Sequence, residues 1–235
     1  MFMKAHLIYV EGNAESESCR DTCEASLQKW GWDYEPISGV TPYTLDEDEF
    51  PFPDVENGRL QSFGVDEPKK YPIKKSCLFN NLRLATKVYD AGESMIFLEH
   101  DTEVIDRCEI PFFKDLLFLS MDYAFKAPSV LANKNFAGWQ LHHQKSLAQT
   151  YEFPRDIYPL KYYKDSVWNN SMMVPGTSAY ALSPYGAEKL LKAVEKHGLE
   201  QSDYIYNSKV MNLEALNPSI VKLQKYNPNL SHRGV

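Results

Sequence analysis

Apolar and polar positions alternate along the chain in blocks that name their own elements. "AHLIYVEGN", residues 5–13, is a short apolar run ending in a turn, the pattern of a strand. A helical stripe follows, with Cys19, Cys23, Leu27 and Trp30 one turn apart. Ser18 is the expected N-cap, with Asp21 as its capping-box partner, and Gly31 is the stop. "DYEPISGV" reads as a second strand weakened by Pro36. Residues 41–75 are rich in Pro, Asp, Glu and Lys without a period, so loops and short helices are expected. From Ser76 a stripe of Leu78, Leu82, Ala85 and Tyr89 predicts a helix stopped by Gly92.

Ser94 to Leu98 is then a wholly apolar strand, and "IPFFKDLLFLSM" is expected to form a helix opened by Pro111. "PSVLAN" is a further strand candidate, and residues 140–175 are irregular and aromatic. "SAYALS" predicts a strand, and Ser183-Pro184 opens a helix that runs to about Lys196 and ends at Gly198. The tail after Asn212 shows little pattern. The alternation argues one α/β domain over residues 1–235, with a mostly parallel central sheet flanked by helices. Ligands of such sheets bind beyond the carboxyl ends of the strands.

Composition changes this picture in three ways. A net charge of −7 argues against a nucleic-acid coat, although Lys69, Lys70, Lys74 and Lys75 form a local basic run, read either as a solvated loop or as a strand-binding patch. Fifteen Tyr and 12 Phe exceed what a core alone uses, so aromatic clefts are expected. The four cysteines lack a zinc-type Cys-x-x-Cys pair and read as reduced thiols. Neither a signal peptide nor a membrane span is evident, so a cytoplasmic protein is expected.

The sharpest chemical feature is "IFLEHDTEVI", where an apolar strand ends in acids. Glu99 and Asp101 are two apart, and on an extended segment they point the same way. Two such carboxylates form a hard oxygen site for Mn²⁺ or Mg²⁺, which in turn takes substrate phosphates. The alternative is the polar end of a strand. His100 would point away from the pair.

Three blocks in order resemble glycosyltransferase family 25, the lipooligosaccharide and collagen sugar-transferase group with the GT-A fold. They are "LIYVEGNAESESCRDTCEASLQKWGWDYEPISGVTP", "SCLFNNLRLATKVYDAGESMIFLEHDTEV" and "PGTSAYALSPYGAEKLLKAVEKHGLEQSDYIYN". Glu99-His100-Asp101 stands where the family has Glu-Asp-Asp, and Asn80-Asn81 where it often has Ser-His. The resemblance implies a GT-A-type, Rossmann-like domain. It also implies a metal-dependent transfer of a sugar from a nucleotide sugar, UDP-linked as the best guess. The acceptor would be a hydroxyl on a glycan, a lipid-linked saccharide or a protein. Glu99 and Asp101 would hold the metal, with His232 near the C-terminus as a third ligand; a terminus without a role is the alternative for His232. Glu11, Gly12, Asn13, Arg20, Asn80, Gly176, Thr177 and Ser178 would line the donor site. Asp203 would be the base for the acceptor hydroxyl, with Glu200 in reserve; a helix N-cap is the other reading of Asp203. Trp168, Asn169 and Asn170 are candidates for stacking on and reading a sugar, or for plain core packing. His142-His143 makes a poor chelate, because adjacent residues on an extended segment face opposite ways. Two alternatives remain beside the transferase. One is a DNA-modifying glycosyltransferase acting on a hydroxymethylated base, and the other is a non-catalytic nucleotide-sugar- or glycan-binding protein.

Overall fold

A computed structural model describes residues 3–107, 109–120, 156–159, 177–207 and 209–224. The strands are β1 (Ala5–Tyr9), β2 (Tyr34–Ser38), β3 (Met95–Glu99), β4 (Thr102–Val104), β5 (Leu116–Phe118), β6 (Asp156–Pro159), β7 (Ala179–Leu182), β8 (Leu213–Asn217) and β9 (Val221–Leu223). The helices are α1 (Ala14–Lys29), α2 (Arg59–Asp66), α3 (Tyr71–Ala91), α4 (Pro184–His197) and the single turn α5 (Ser202–Ile205).

Seven strands form one sheet in the order β2-β1-β3-β7-β5-β8-β6, and β4 pairs with β9 beside it. Five strands run one way, while β7 and β6 run against them. The fold is therefore α/β with a mostly parallel sheet. β2 is an edge strand among the described residues, which is where Pro36 can sit without breaking a ladder between two neighbours.

The strands alternate between two apolar layers, as the period of two demands. Phe97, Leu116, Phe118, Tyr180 and Leu182 pack with Leu78, Leu82 and Ala85 of α3 and Leu190 of α4. Ile96, Leu98, Leu117, Ala179 and Ala181 pack with Cys23 and Leu27 of α1 and with Val104 and Val221. The sheet is thus sandwiched between α1 on one face and α3 with α4 on the other. The chain leaves β1 through α1 to β2, then returns through α3 to β3 on β1's other side. The strand order reverses there, and in sheets of this kind ligands bind beyond the carboxyl ends of the strands at such a point.

Four local expectations are corrected. α1 begins at Ala14, because Asn13 rather than Ser18 is the N-cap and its side chain accepts the Ser16 N–H. α3 begins at Tyr71 with Pro72 in its first turn, so part of the predicted loop is helix. "IPFFKDLLFLSM" does not become a helix: Leu116–Phe118 are buried on both faces of the sheet as β5. Such a doubly buried strand carries an apolar run without alternation. The tail forms β8 and β9. "SAYALS", the Ser183 cap and the Gly198 stop are found as expected. "PSVLAN", His142, His143, Trp168, Asn169, Asn170, Gly176 and His232 lie outside the described residues.

Candidate functional site at the β1–β3 crevice

The first wall of the crevice is the turn from β1 into α1. Gly12 turns the chain at φ +77°, a conformation that costs a side-chain-bearing residue. Its N–H donates to Glu17 at 2.9 Å, and the Val10 N–H donates to the Ser16 hydroxyl at 2.8 Å. Glu11, Gly12 and Asn13 are exposed here, and Glu15 and Glu17 stand in the first turn of α1. Arg20 lies over the Tyr9 ring at 4.6 Å and donates to Asp21 at 2.7 Å. Asn80 is committed elsewhere. Its amide accepts the Val40 N–H at 2.7 Å and donates to the Val40 carbonyl at 3.2 Å, tying α3 to the segment after β2.

The acids end β3 differently from the expectation. The strand stops at Glu99, and His100 and Asp101 form a turn into β4. The same-side rule for residues two apart therefore fails. Glu99 continues the face of Phe97, and its charge acts on Cys77 of α3 and on Tyr180. Asp101 is carried to the α1 side, where its charge acts on Cys19 and Cys23. Among the described residues no group of three or more His, Cys, Asp or Glu side chains is placed to hold a metal ion. The His100 ring bonds the Ile8 backbone across the two strands, and burial lowers its pKa.

The turn itself is held from several sides. The Thr102 hydroxyl donates to the Glu99 carbonyl at 2.7 Å and touches Cys23 Sγ at 3.6 Å. The Glu99 N–H donates to the Ser178 carbonyl at 2.8 Å, which brings buried Thr177 and Ser178 beside the acid. One oxygen of the turn is left over. Asp101 Oδ1 is buried and has no hydrogen-bond partner among the described residues.

Asp203 sits in the first turn of α5, and its Oδ2 accepts the Gln201 side-chain amide at 3.0 Å. Its charge also acts on the half-buried Cys77 thiol, as the Glu99 charge does. Burial, then the Glu99 charge, push that thiol up to about 12. Glu200 has a different place. It is buried, and its carboxylate accepts the backbone N–H groups of Arg59, Leu60 and Gln201 at 2.6–2.7 Å. With both oxygens so engaged it caps α2, and this argues against the reserve role as a base. Of the basic run, Lys75 is buried against Glu47 and Tyr71, and Lys70 pairs with Glu67. Half of that patch is thereby neutralised.

Three residues that matter to this site were given no role by sequence reasoning, although Asn81 was noted beside Asn80. The charges of Glu99 and Asp203 both act on Cys77, Asn81 accepts the Tyr180 hydroxyl behind Glu99, and Gln224 braces the acid turn. No local motif marks Gln224, whose segment lacks a period. No protein-family model matches the chain, and no curated protein matches it in sequence. No helix among the described residues is long and apolar enough to cross a membrane.

Proposed function

We propose that this chain is a metal-dependent glycosyltransferase of GT-A type. It moves a sugar from a nucleotide sugar, UDP-linked as the first candidate, to a hydroxyl on a glycan, a lipid-linked saccharide or a protein. The observation that carries the reading is Asp101 Oδ1, a buried carboxylate oxygen without a hydrogen-bond partner among the described residues, at the point where strand order reverses. A bare buried oxygen of this kind is costly unless a donor or a cation meets it.

Among the described residues the chain would supply such a cation with a single carboxylate. Mg²⁺ and similar ions are commonly bound by one or two carboxylates, with substrate phosphates and water filling the rest. Asp101 is that carboxylate, while Glu99 lies on the other side of the sheet. When bound, the ion neutralises charge on a leaving diphosphate. The chain's own charges point the same way. Glu11, Glu15 and Glu17 crowd the start of α1, and a diphosphate approaching that helix end meets acids rather than free amides.

The remaining roles follow from position. The turn at Gly12-Asn13 and the Arg20–Tyr9 pair form the donor wall, and Thr177 and Ser178 flank Glu99. Asp203 takes the proton of the acceptor hydroxyl, with Gln201 fixing the orientation of its carboxylate. Glu99, on the same side, supports the acceptor end. The separation of Glu99 from Asp101 favours one second reading, a nucleotide-sugar-binding protein without turnover.

Calorimetry with UDP, GDP, CDP and their sugars, with and without Mn²⁺, tests the proposal on wild type and Asp101→Ala. Manganese-dependent binding of one nucleotide, lost in the variant, is the expected result. Binding indifferent to metal and to mutation overturns it. Release of free sugar or nucleoside diphosphate on incubation separates the transferase from the binder.

A further inference from the structure

The basic run at the start of α3 is neutralised only in part. Lys75 is held by Glu47 and Tyr71, and Lys70 holds Glu67. Lys74 stands apart from both pairs. Its ammonium lies over the Phe63 ring, 5.7 Å from the centroid, and the Arg59 guanidinium lies over the same ring at 4.3 Å. Phe63 is buried in α2, so one fixed aromatic anchors both cations. Arg59 is restrained further. Its backbone N–H donates to Glu200 at 2.7 Å, and its Nη1 donates to the Ser62 hydroxyl at 3.3 Å. Its Nη2 meets Glu67 only at 4.0 Å, and its side chain is 46% exposed. A guanidinium has five N–H donors, so most of these are left for a ligand.

Both cations flank the Asp203 end of the site. Glu200, which fixes the Arg59 backbone, precedes Asp203 by three residues, and the Arg59 charge acts on Tyr204, the residue after it. Lys74 sits one turn before Cys77 on α3, and its charge acts on that thiol, as those of Glu99 and Asp203 do. In a chain of net charge −7, two cations on one ring are a local place for an anion. Arginine meets phosphate oxygens with paired N–H groups, and lysine adds a compact charge. We propose that Arg59 and Lys74 bind a phosphate group of the acceptor. The acceptor is then a phosphate-bearing saccharide, the chemistry of a lipid-linked sugar, rather than a neutral glycan or a protein side chain. The inference rests on the transferase reading above, with Asp203 as its base.

The test uses the full chain and a panel of hexose 1-phosphates beside the matching free hexoses, titrated at fixed ionic strength and read by ligand-observed NMR. Wild type should bind at least one hexose 1-phosphate about tenfold more tightly than its free hexose. Arg59→Gln and Lys74→Gln should each weaken the phosphate by about two- to tenfold, and the double variant should erase the preference. Arg59→Gln keeps the backbone N–H that Glu200 accepts, and thermal midpoints confirm that the variants fold. Arg59→Lys, which keeps the charge without the fork, should restore only part of the affinity. A wild type without the preference, or a double variant that keeps it, overturns the proposal. UDP, GDP and CDP separate the two sources of phosphate. Their affinity should be unchanged in the double variant; a loss equal to that of the hexose phosphate assigns the cations to the donor diphosphate and overturns the acceptor assignment. A wild type that prefers the hexose phosphate but binds no nucleotide supports the phosphate site and sinks the transferase reading, a distinct result.

Discussion

Glu200 caps a helix that begins 141 positions earlier in the chain: its Oε2 accepts the Arg59 N–H at 2.7 Å. Gly58, the residue at the N-cap of α2, has no side chain for the task. Glu200 supplies it from the segment between α4 and α5, and so docks the 41–70 excursion onto the body of the fold. Glu200→Ala leaves three buried or half-buried N–H groups without their acceptor. The expected loss is about 1–3 kcal/mol of stability by urea denaturation. Limited proteolysis should then cut first between residues 41 and 70. Unchanged stability would show that the cap is dispensable.

His6 makes stability fall in mild acid. It is buried on β1, Nε2 has no hydrogen-bond partner among the described residues, and Nδ1 lies 3.5 Å from the Lys87 ammonium. Burial, then the Lys87 charge, lower its pKa from 6.5 to about 4. Between those values the unfolded chain takes a proton that the folded chain refuses. The contribution is therefore complete above pH 6.5 and is lost as pH falls toward 4. Its full depth is roughly 3 kcal/mol. Urea midpoints at pH 7.5 and pH 5 should separate less in His6→Gln than in wild type; equal separations would refute the assignment.

Particular residues show what was legible. Ser183, Pro184 and Gly198 mark α4 because caps act locally, within a few positions of the helix they bound. The cap of α1 was misplaced because Ser18 and Asp21 offer the same chemistry one turn downstream of Asn13. The Pro111 segment misled because a strand buried on both faces has no alternation to read. The acid pair was legible as an acid cluster at a strand end. Its splitting across the sheet was not. That depends on a turn braced by Gln224, 124 residues from His100 and without a pattern of its own.

Behind Glu99, Asn81 organises a buried polar knot. Its Oδ1 accepts the Tyr180 hydroxyl at 2.6 Å and the Tyr206 hydroxyl at 3.1 Å, and the two hydroxyls are 2.7 Å apart. Tyr180 also stacks on Phe97, two residues before Glu99, with ring centroids 5.0 Å apart. Asn81→Leu is close in size but removes the acceptor that both phenols share. It should cost about 1–3 kcal/mol, whereas Tyr206→Phe, which removes one donor and strands little, should cost less. The reverse order, measured by thermal unfolding, would place the stabilisation in the Tyr206 hydroxyl rather than in Asn81.

Cys77 reports whether Glu99 and Asp203 share a site. Burial first, then the Glu99 charge and, more weakly, the Asp203 charge raise its pKa to about 12 against the opposing Lys74 charge. At pH 8 the thiolate is therefore scarce and alkylation by iodoacetamide should be slow. Glu99→Gln removes a negative charge that disfavours the thiolate, so the Cys77 pKa falls and the labelling rate rises. Asp203→Asn acts in the same direction and more weakly, since its contribution is the smaller. Increases of roughly two- to fivefold, read by mass spectrometry at Cys77 itself, are the expected scale for a modest gain in thiolate. Asp101→Asn is the internal control. Its charge acts on Cys19 and Cys23 across the sheet, so Cys77 should label at the wild-type rate. A Cys77 that responds to Asp101 as well as to Glu99 would put the two acids on the same side after all. It would restore the paired-carboxylate site that the turn at His100 argues against.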